Sequence, residues 1–556
     1  MDFKLNKLNA WIIVLILWAG IYLPGLGTRD IDFNEGRRIM PAVGMIDTGN
    51  WRTPSLAGVE YFKKPPMINW LIAGSFVACG ERSTFTARLP SALFMLAFVS
   101  TLVLMSSQLL PLKGRFMGAI LFMTAYSSME NGRQIEVDCI YACVTGIATI
   151  CWLNLWTASD FSRLRLWLIT ALIIGFGLLL KGPLIMLFFY AVVLSVAISE
   201  KRTRELLRYE HFAGIAIMCL IFFSWAFLVN APKTQSEHMT TTWFNEIAVR
   251  FTSEKTSLFL WTRRVIGAVA GYLPWLVLIP FLWFPGWVGN LEERHARIFK
   301  ACRLALLLSF LAINIMPGTK ARYSFPLFCL AFTLLGWIIS AQPAIPAAVE
   351  KIWRRILLAI LPAAAILSIL SAAVIFIGGS ASGTIAPGLE KVFSSFASSD
   401  AKAGIFFAAL ATSLLAFSIL RDRQFVRGYE KLVLVSGLAV ATVMIFNASF
   451  VLPAVEKQFG KNTREIGKEL GDRISGNVLY AYNTECEPFL FYVKPRVEFL
   501  VRPSQLEADV RYLLSSSKVL EELLEIQAFK ARNPREIFAF KMGRADYRLI
   551  ELDPGK

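Results

Sequence analysis

Arg29–Trp70, RDIDFNEGRRIMPAVGMIDTGNWRTPSLAGVEYFKKPPMINW, is the first polar stretch after an apolar opening run, and its reading decides the fold. It gathers carboxylates (Asp30, Asp32, Glu35), cations (Arg37, Arg38, Lys63, Lys64) and aromatic or proline punctuation directly before a second apolar run. A chain that sets so long a polar segment between two apolar ones presents charged groups at a membrane surface. Almost everything downstream is apolar.

Of 556 residues, 56% are hydrophobic and 17% charged, with 43 Phe and 15 Trp, which excludes an ordinary soluble domain. Apolar runs recur at lengths suited to about 30 Å of hydrocarbon, without period-2 alternation, so the fold class is a polytopic α-helical membrane protein. Candidate spans cover 9–27, 65–80, 86–110, 115–130, 136–157, 164–180, 182–199, 211–229, 265–286, 300–316, 322–341, 353–377, 403–420 and 432–452. The first ends in LPGLG without an Ala-x-Ala-like site, which favours a retained anchor over a cleaved signal.

The net charge of +17 is read by location. Basic clusters at 163–165, 201–208, 294–303, 351–355 and 421–431 are placed in the cytoplasm, and 230–264, 317–322, 378–402 and the tail from 453 opposite. With a cytoplasmic N-terminus this requires an odd number of crossings before residue 230, yet eight runs stand there. One is therefore expected not to cross, and 65–80 and 115–130 are the weakest, since sixteen residues reach only about 24 Å as a helix. About thirteen crossings follow. The domains are a transmembrane part, 1–452, with extracytoplasmic loops 28–64 and 230–264, and a small α/β extracytoplasmic domain, 453–556. The latter rests on short alternating runs such as NVLYAY and FLFYV and a helical pattern over 519–526.

Asp32 and Glu35 have the spacing of a helix capping box, and a capped helix is also a rigid mount for a catalytic carboxylate. In Tyr61-Phe62-Lys63-Lys64-Pro65-Pro66 the prolines fix where two ammonium groups sit at a helix start. That pattern suits either snorkelling lysines or a site for a lipid-linked phosphate at headgroup depth. Arg133, Lys181, Arg250, Lys320 and Arg322 recur on the side where positive charge is not topologically favoured, which points to an anion-binding cavity. Gly182 and Pro183 place Lys181 at a helix end rather than at the bilayer centre, and Asp138 stands at the outer start of a span. The three histidines are scattered and the eight cysteines form no zinc pattern, so no metal cluster built on them is expected.

NEGRR, YFKKPP, RQIEVD, LLLKGP, WFNEIAVRF, GYLPWLVLIP and KARYSFP follow one another between about residue 29 and residue 336. With these motifs in this order the chain resembles the GT-C superfamily of polyprenyl-phosphate-sugar glycosyltransferases. The resemblance is strongest to the branch of lipid A aminoarabinose transferases and protein mannosyltransferase-like enzymes.

The resemblance implies transfer of a sugar, such as 4-amino-4-deoxy-L-arabinose, from undecaprenyl phosphate to lipid A or another envelope acceptor. The expected place is the periplasmic face of a bacterial inner membrane, and the expected state a monomer without nucleic-acid partners. Glu35, Asp138 and Asp32 become the catalytic candidates. Arg37, Arg38, Tyr61, Lys63, Lys64, Arg133, Lys181, Arg250, Lys320, Arg322 and Tyr323 become the substrate-binding ones. Three positions depart from the family pattern: Asn34 stands for its Asp, Lys63 for a Glu, and Ile247 for a His, and since the last two are where a metal could have bridged two loops, no bound metal and no cofactor are expected. The alternatives are a protein O-glycosyltransferase of the same fold and, from another class, a lipid-phosphate transporter, for which the two similar halves are missing.

Overall fold

A computed structural model describes residues 5–60, 64–229, 258–283, 288, 291–315, 319–341, 347–348, 351–352, 355, 429–453, 456, 462–484, 487–494, 496–506, 509–543 and 545–553. The chain divides into two compact units. A helix unit comprises Met1–Thr28, Arg88–Ala231 and His238–Lys457; a mixed unit comprises Arg29–Ala87, Pro232–Glu237 and Gln458–Lys556. The division by contacts thus differs from a cut at 452/453, because the opening polar stretch packs with the tail.

Among the described residues six helices are long and apolar enough to cross a membrane: Thr84–Met105, Val137–Thr157, Arg163–Lys181, Tyr209–Leu228, Glu293–Ile315 and Val433–Phe450. A seventh is added if Leu258–Ala270 and Trp275–Trp283, bent by 95° at their junction, form one span. Lys7–Tyr22, Leu184–Ser199 and Pro326–Ser340 are shorter apolar helices. The chain is an integral membrane protein. Apart from residue 355, the expected spans 353–377 and 403–420 lie outside the described residues.

The two weak runs differ from full spans in different ways. Met67–Cys79 has 13 residues, about 20 Å of helix, and belongs to the mixed unit. The run 115–130 is interrupted: Leu112–Met123 ends at Thr124, and Tyr126–Gly132 begins after it. The backbone freed there is used by the other broken helix, for Tyr126 N–H donates to Leu273 O (2.8 Å) and Ser127 N–H to Gly271 O (3.1 Å).

At the centre of the helix unit Val137–Thr157 is buried at nearly every position and packs on Arg163–Lys181 and Pro326–Ser340. Pro326–Ser340 also lies against Leu112–Met123 at backbone distance: a Cβ on Gly336 would stand 2.2 Å from Gly114 O and 2.8 Å from Gly118 N. Small residues permit such contacts in the absence of a hydrophobic drive between helices in lipid. Because backbone rather than a flexible side chain lies in the way, Gly336→Ala is expected to cost about 1 to 3 kcal/mol. Thermal unfolding of the purified protein checks it; an unchanged Tm would refute this account of the packing.

The mixed unit joins the opening stretch to a five-stranded sheet. Its first part holds the helix Phe33–Thr48, a two-stranded hairpin of β1 (Ser55–Leu56) and β2 (Val59–Glu60), and the helix Met67–Cys79. Its second part holds the helix Thr463–Arg473 and strands β3 (Leu479–Tyr482), β4 (Val497–Leu500), β5 (Tyr512–Ser516), β6 (Arg535–Met542) and β7 (Ala545–Glu551), in the order β4-β3-β5-β7-β6. β3 pairs in parallel with β4 and β5, while β7 pairs antiparallel with β5 and β6. The described tail thus combines strands and helices, and the helix Ser517–Leu524 lies close to the pattern read over 519–526.

One expectation fails: FLFYV is not a strand but part of the 3-10 helix Pro488–Tyr492. Pro488 opens that turn, and the side chains leave it in several directions, Phe489 and Leu490 into the core and Phe491 onto Phe76 (ring centroids 6.1 Å apart). An apolar run with partners on every side mimics a strand in short windows.

Met40 from the opening stretch shares its core with Leu470, Leu479, Phe489, Leu514 and Leu549 of the tail. Asp30 completes the join. Asn462, the N-cap of Thr463–Arg473, makes no capping bond with its own side chain, and Asp30 Oδ2 instead accepts from Thr463 Oγ1 (2.8 Å) and Arg464 N–H (3.3 Å). A carboxylate at a helix N-terminus satisfies orphan donors and the positive end of the dipole together.

Candidate functional site

Charged side chains from three segments meet inside the helix unit. Glu136 is the N-cap of Val137–Thr157 and Asp138 lies in that helix's first turn, where negative charge is favoured. Lys181 is the last residue of Arg163–Lys181, at the end that favours cations. Gly182 follows at φ +81°, ψ −161°, a region reserved almost wholly to glycine, and lets Leu184–Ser199 begin after Pro183. Arg322 and Tyr323 stand on the 3-10 turn Ala321–Ser324 that leads into Pro326–Ser340.

Lys181 Nζ pairs with Asp138 Oδ1 and lies 3.7 Å from the centroid of the Tyr323 ring and 5.6 Å from that of Tyr141. Arg322 Nη1 donates to Glu136 Oε1 at 2.5 Å, and its Nε is 3.0 Å from Asp138 Oδ2. Asp138 is thus shared by both cations. The side chains of Glu136, Asp138 and Lys181 are 6%, 5% and 4% exposed, against 28% for Arg322. Each buried ion costs several kcal/mol in lost hydration, which is offset only by close opposite charge, so the four groups stand or fall together.

Sequence reasoning found Asp138, Lys181, Arg322 and Tyr323, and the structure brings them together. It missed Glu136, although it lies in the RQIEVD motif two residues before Asp138, and Tyr141, one turn after it. It also missed Arg264, which donates to Thr319 O and Asn314 O at 3.1 Å each and so secures the chain just before Lys320. Its signal was an arginine inside an apolar helix.

Other sequence candidates lie elsewhere in this unit. Arg133 is buried and donates to Ile21 O (2.8 Å) and Pro24 O (2.6 Å), carbonyls at the end of the helix Lys7–Tyr22. A cation there satisfies orphan acceptors and the dipole's negative end. Lys320 is exposed at the start of the turn that carries Arg322. Tyr61, Lys63 and Arg250 lie outside the described residues.

The mixed unit carries the remaining candidates. The capping box is present in both directions: Glu35 N–H donates to Asp32 Oδ1 (2.9 Å) and Asp32 N–H to Glu35 Oε2 (3.2 Å). Glu35 is buried, and Asp32 also pairs with Arg29 at 3.3 Å. The Arg37 guanidinium lies 4.4 Å from the Phe33 ring centroid, while Arg38 lends its carbonyl to Asn69 Nδ2 (2.9 Å). Lys64, half-buried, precedes Pro65 and Pro66, and Pro66 is the N-cap of Met67–Cys79. Among the described residues no group of three His, Cys, Asp or Glu is placed to hold a metal ion.

Known proteins share this architecture. A family model described as dolichyl-phosphate-mannose-protein mannosyltransferase matches residues 63–227. The undecaprenyl phosphate-alpha-4-amino-4-deoxy-L-arabinose arabinosyl transferase of Pectobacterium carotovorum subsp. carotovorum (strain PC1) is 28% identical over 353 residues, 62% of this chain and 62% of that protein. The transferase of the same name from Pseudomonas paraeruginosa (strain DSM 24068 / PA7) is 26% identical over 337 residues, 60% of each. The match thus spans about three-fifths of the length of these curated relatives. The crystal structure of ArnT from Cupriavidus metallidurans bound to undecaprenyl phosphate superposes with a TM-score of 0.65 at 16% identity, over 98% of this chain and 97% of that one. The chain is a membrane protein of the GT-C fold, and it resembles the polyprenyl-phosphate-sugar glycosyltransferases of the aminoarabinose transferase and protein mannosyltransferase-like branch.

Proposed function

We propose that the chain is a glycosyltransferase that moves 4-amino-4-deoxy-L-arabinose, or a similar sugar, from undecaprenyl phosphate to lipid A at the periplasmic face of a bacterial inner membrane. The observation that carries this reading is the Glu136–Arg322–Asp138–Lys181 cluster with Tyr323 over the ammonium group. It is a charge array at helix ends, three of its four members almost wholly buried, in a chain similar to transferases named for an undecaprenyl phosphate sugar.

In the reaction an acceptor oxygen forms a bond to the sugar's anomeric carbon as the bond from that carbon to the carrier phosphate breaks. The electron pair stays on the phosphate oxygen. Arg322, the most open member of the cluster, receives the developing phosphate charge, and the Tyr323 ring covers the neighbouring Lys181 ammonium. Lys181 and Asp138 hold both in place, so that little reorganisation is needed as charge appears. A lipid A phosphate is already anionic and needs no strong base, which is compatible with Asn34 where the family pattern has Asp.

Mass spectrometry of lipid A and of periplasmic proteins from cells with and without the protein tests the reading. Loss of an amino-pentose from lipid A on deletion is the expected result. Loss confined to protein glycans would favour the second reading, a protein O-glycosyltransferase, to which the match over residues 63–227 lends weight. No change in either would overturn both.

A further inference from the structure

Glu136 is placed unusually for an N-cap residue. Its side chain makes no capping hydrogen bond to the helix it begins. It is spent on Arg322, 186 residues away in sequence. We propose that Glu136 is a positioning residue that holds the Arg322 guanidinium and moderates its grip on an anionic lipid phosphate, so that spent carrier is released after transfer. This rests on the lipid-phosphate donor proposed above.

Three features carry the inference. Burial is graded: the Arg322 side chain is 28% exposed and that of Glu136 6%, so of the two the arginine is the more open to an arriving anion. Arg322 Nη1 donates to Glu136, while its Nε lies 3.0 Å from Asp138 Oδ2 as a charge contact, so of these two carboxylates Glu136 gives the guanidinium its direction. The four charges, two negative and two positive, sum to zero. An uncompensated Lys–Arg pair would bind a phosphate product tightly and turn over slowly, because hold on product that is not specific to the transition state adds nothing to the chemical step. With Glu136 in place the array polarises a phosphate without trapping it.

Replacement by glutamine isolates the charge, because its amide oxygen can still accept from Arg322. The full-length protein in nanodiscs of uncharged lipid is titrated with undecaprenyl phosphate, and steady-state transfer is measured alongside. Glu136→Gln is expected to bind undecaprenyl phosphate about tenfold more tightly than the wild type, as one charge within several ångströms of the ligand is removed. KM for the donor and kcat should fall together. Glu136→Asp, which keeps the charge, should restore release.

A purely structural N-cap would leave affinity unchanged in Glu136→Gln or weaken it, and either result overturns the proposal. If the wild type itself fails to bind undecaprenyl phosphate, the donor assignment falls first and this inference with it. If the wild type binds and only the tightening is missing, the donor assignment survives alone.

Discussion

Lys181→Ala is expected to abolish sugar transfer and to destabilise the helix unit by about 3 to 5 kcal/mol, the cost of leaving a buried charge without its partner. Asp138 Oδ1 rests on Lys181, and both side chains are almost wholly buried. Loss of the ammonium also removes the cation beneath the Tyr323 ring. Stability and chemistry are separated by the double variant Lys181→Met with Asp138→Asn. Replacing a buried pair by neutral groups of similar volume is often nearly neutral for stability, so the double variant should regain most of the lost Tm while remaining inactive. Tm in detergent and the rate of transfer from lipid donor are the two readouts. Near-normal transfer in Lys181→Ala membranes would remove this cluster from the reaction.

The second large effect is expected at Glu35. Both arms of its capping box are present, so Gln, which also serves at that position, should preserve the helix start. If the carboxylate acts only as a cap, Glu35→Gln is mild; if its charge acts on the acceptor, the rate falls about 10²-fold or more. The larger effect is the expected one. Asp32→Asn should be tolerated, because Asn caps as well as Asp does. Rates are compared at saturating donor with protein abundance checked in each variant. Normal turnover in Glu35→Gln would leave Glu35 as a structural residue.

Much of the fold was legible because hydrocarbon thickness imposes its length on the sequence. Helix punctuation was legible too: the Asp32–Glu35 box and the Lys181–Gly182–Pro183 ending follow from local chemistry and stand where local chemistry puts them. What escaped was non-local. That residues 29–87 group with the tail depends on Met40, Asp30 and Phe76 meeting partners hundreds of residues away. FLFYV looked like a strand because its partners on several sides are invisible in a short window. Positive charge alone did not distinguish Arg322, which faces carboxylates, from Arg133, which closes a helix end; only the acceptor each one meets makes that difference.

The paired breaks at Thr124–Ala125 and Gly271–Trp275 bear on how the protein enters its membrane. Trp275 Nε1 donates to Thr124 Oγ1 at 3.0 Å across 151 residues, beside the two backbone bonds that join the same segments. During synthesis the first break therefore leaves the ribosome long before its partner exists. Bare peptide groups are costly in hydrocarbon, so the first break is expected to keep water on its N–H groups until the second arrives. Insertion of this chain is then expected to couple these two segments rather than to lay down each helix independently. Its middle helices are committed only when residues 124–127 and 271–275 meet, and a nascent chain truncated before 271 should leave residues 112–132 open to water-borne labels.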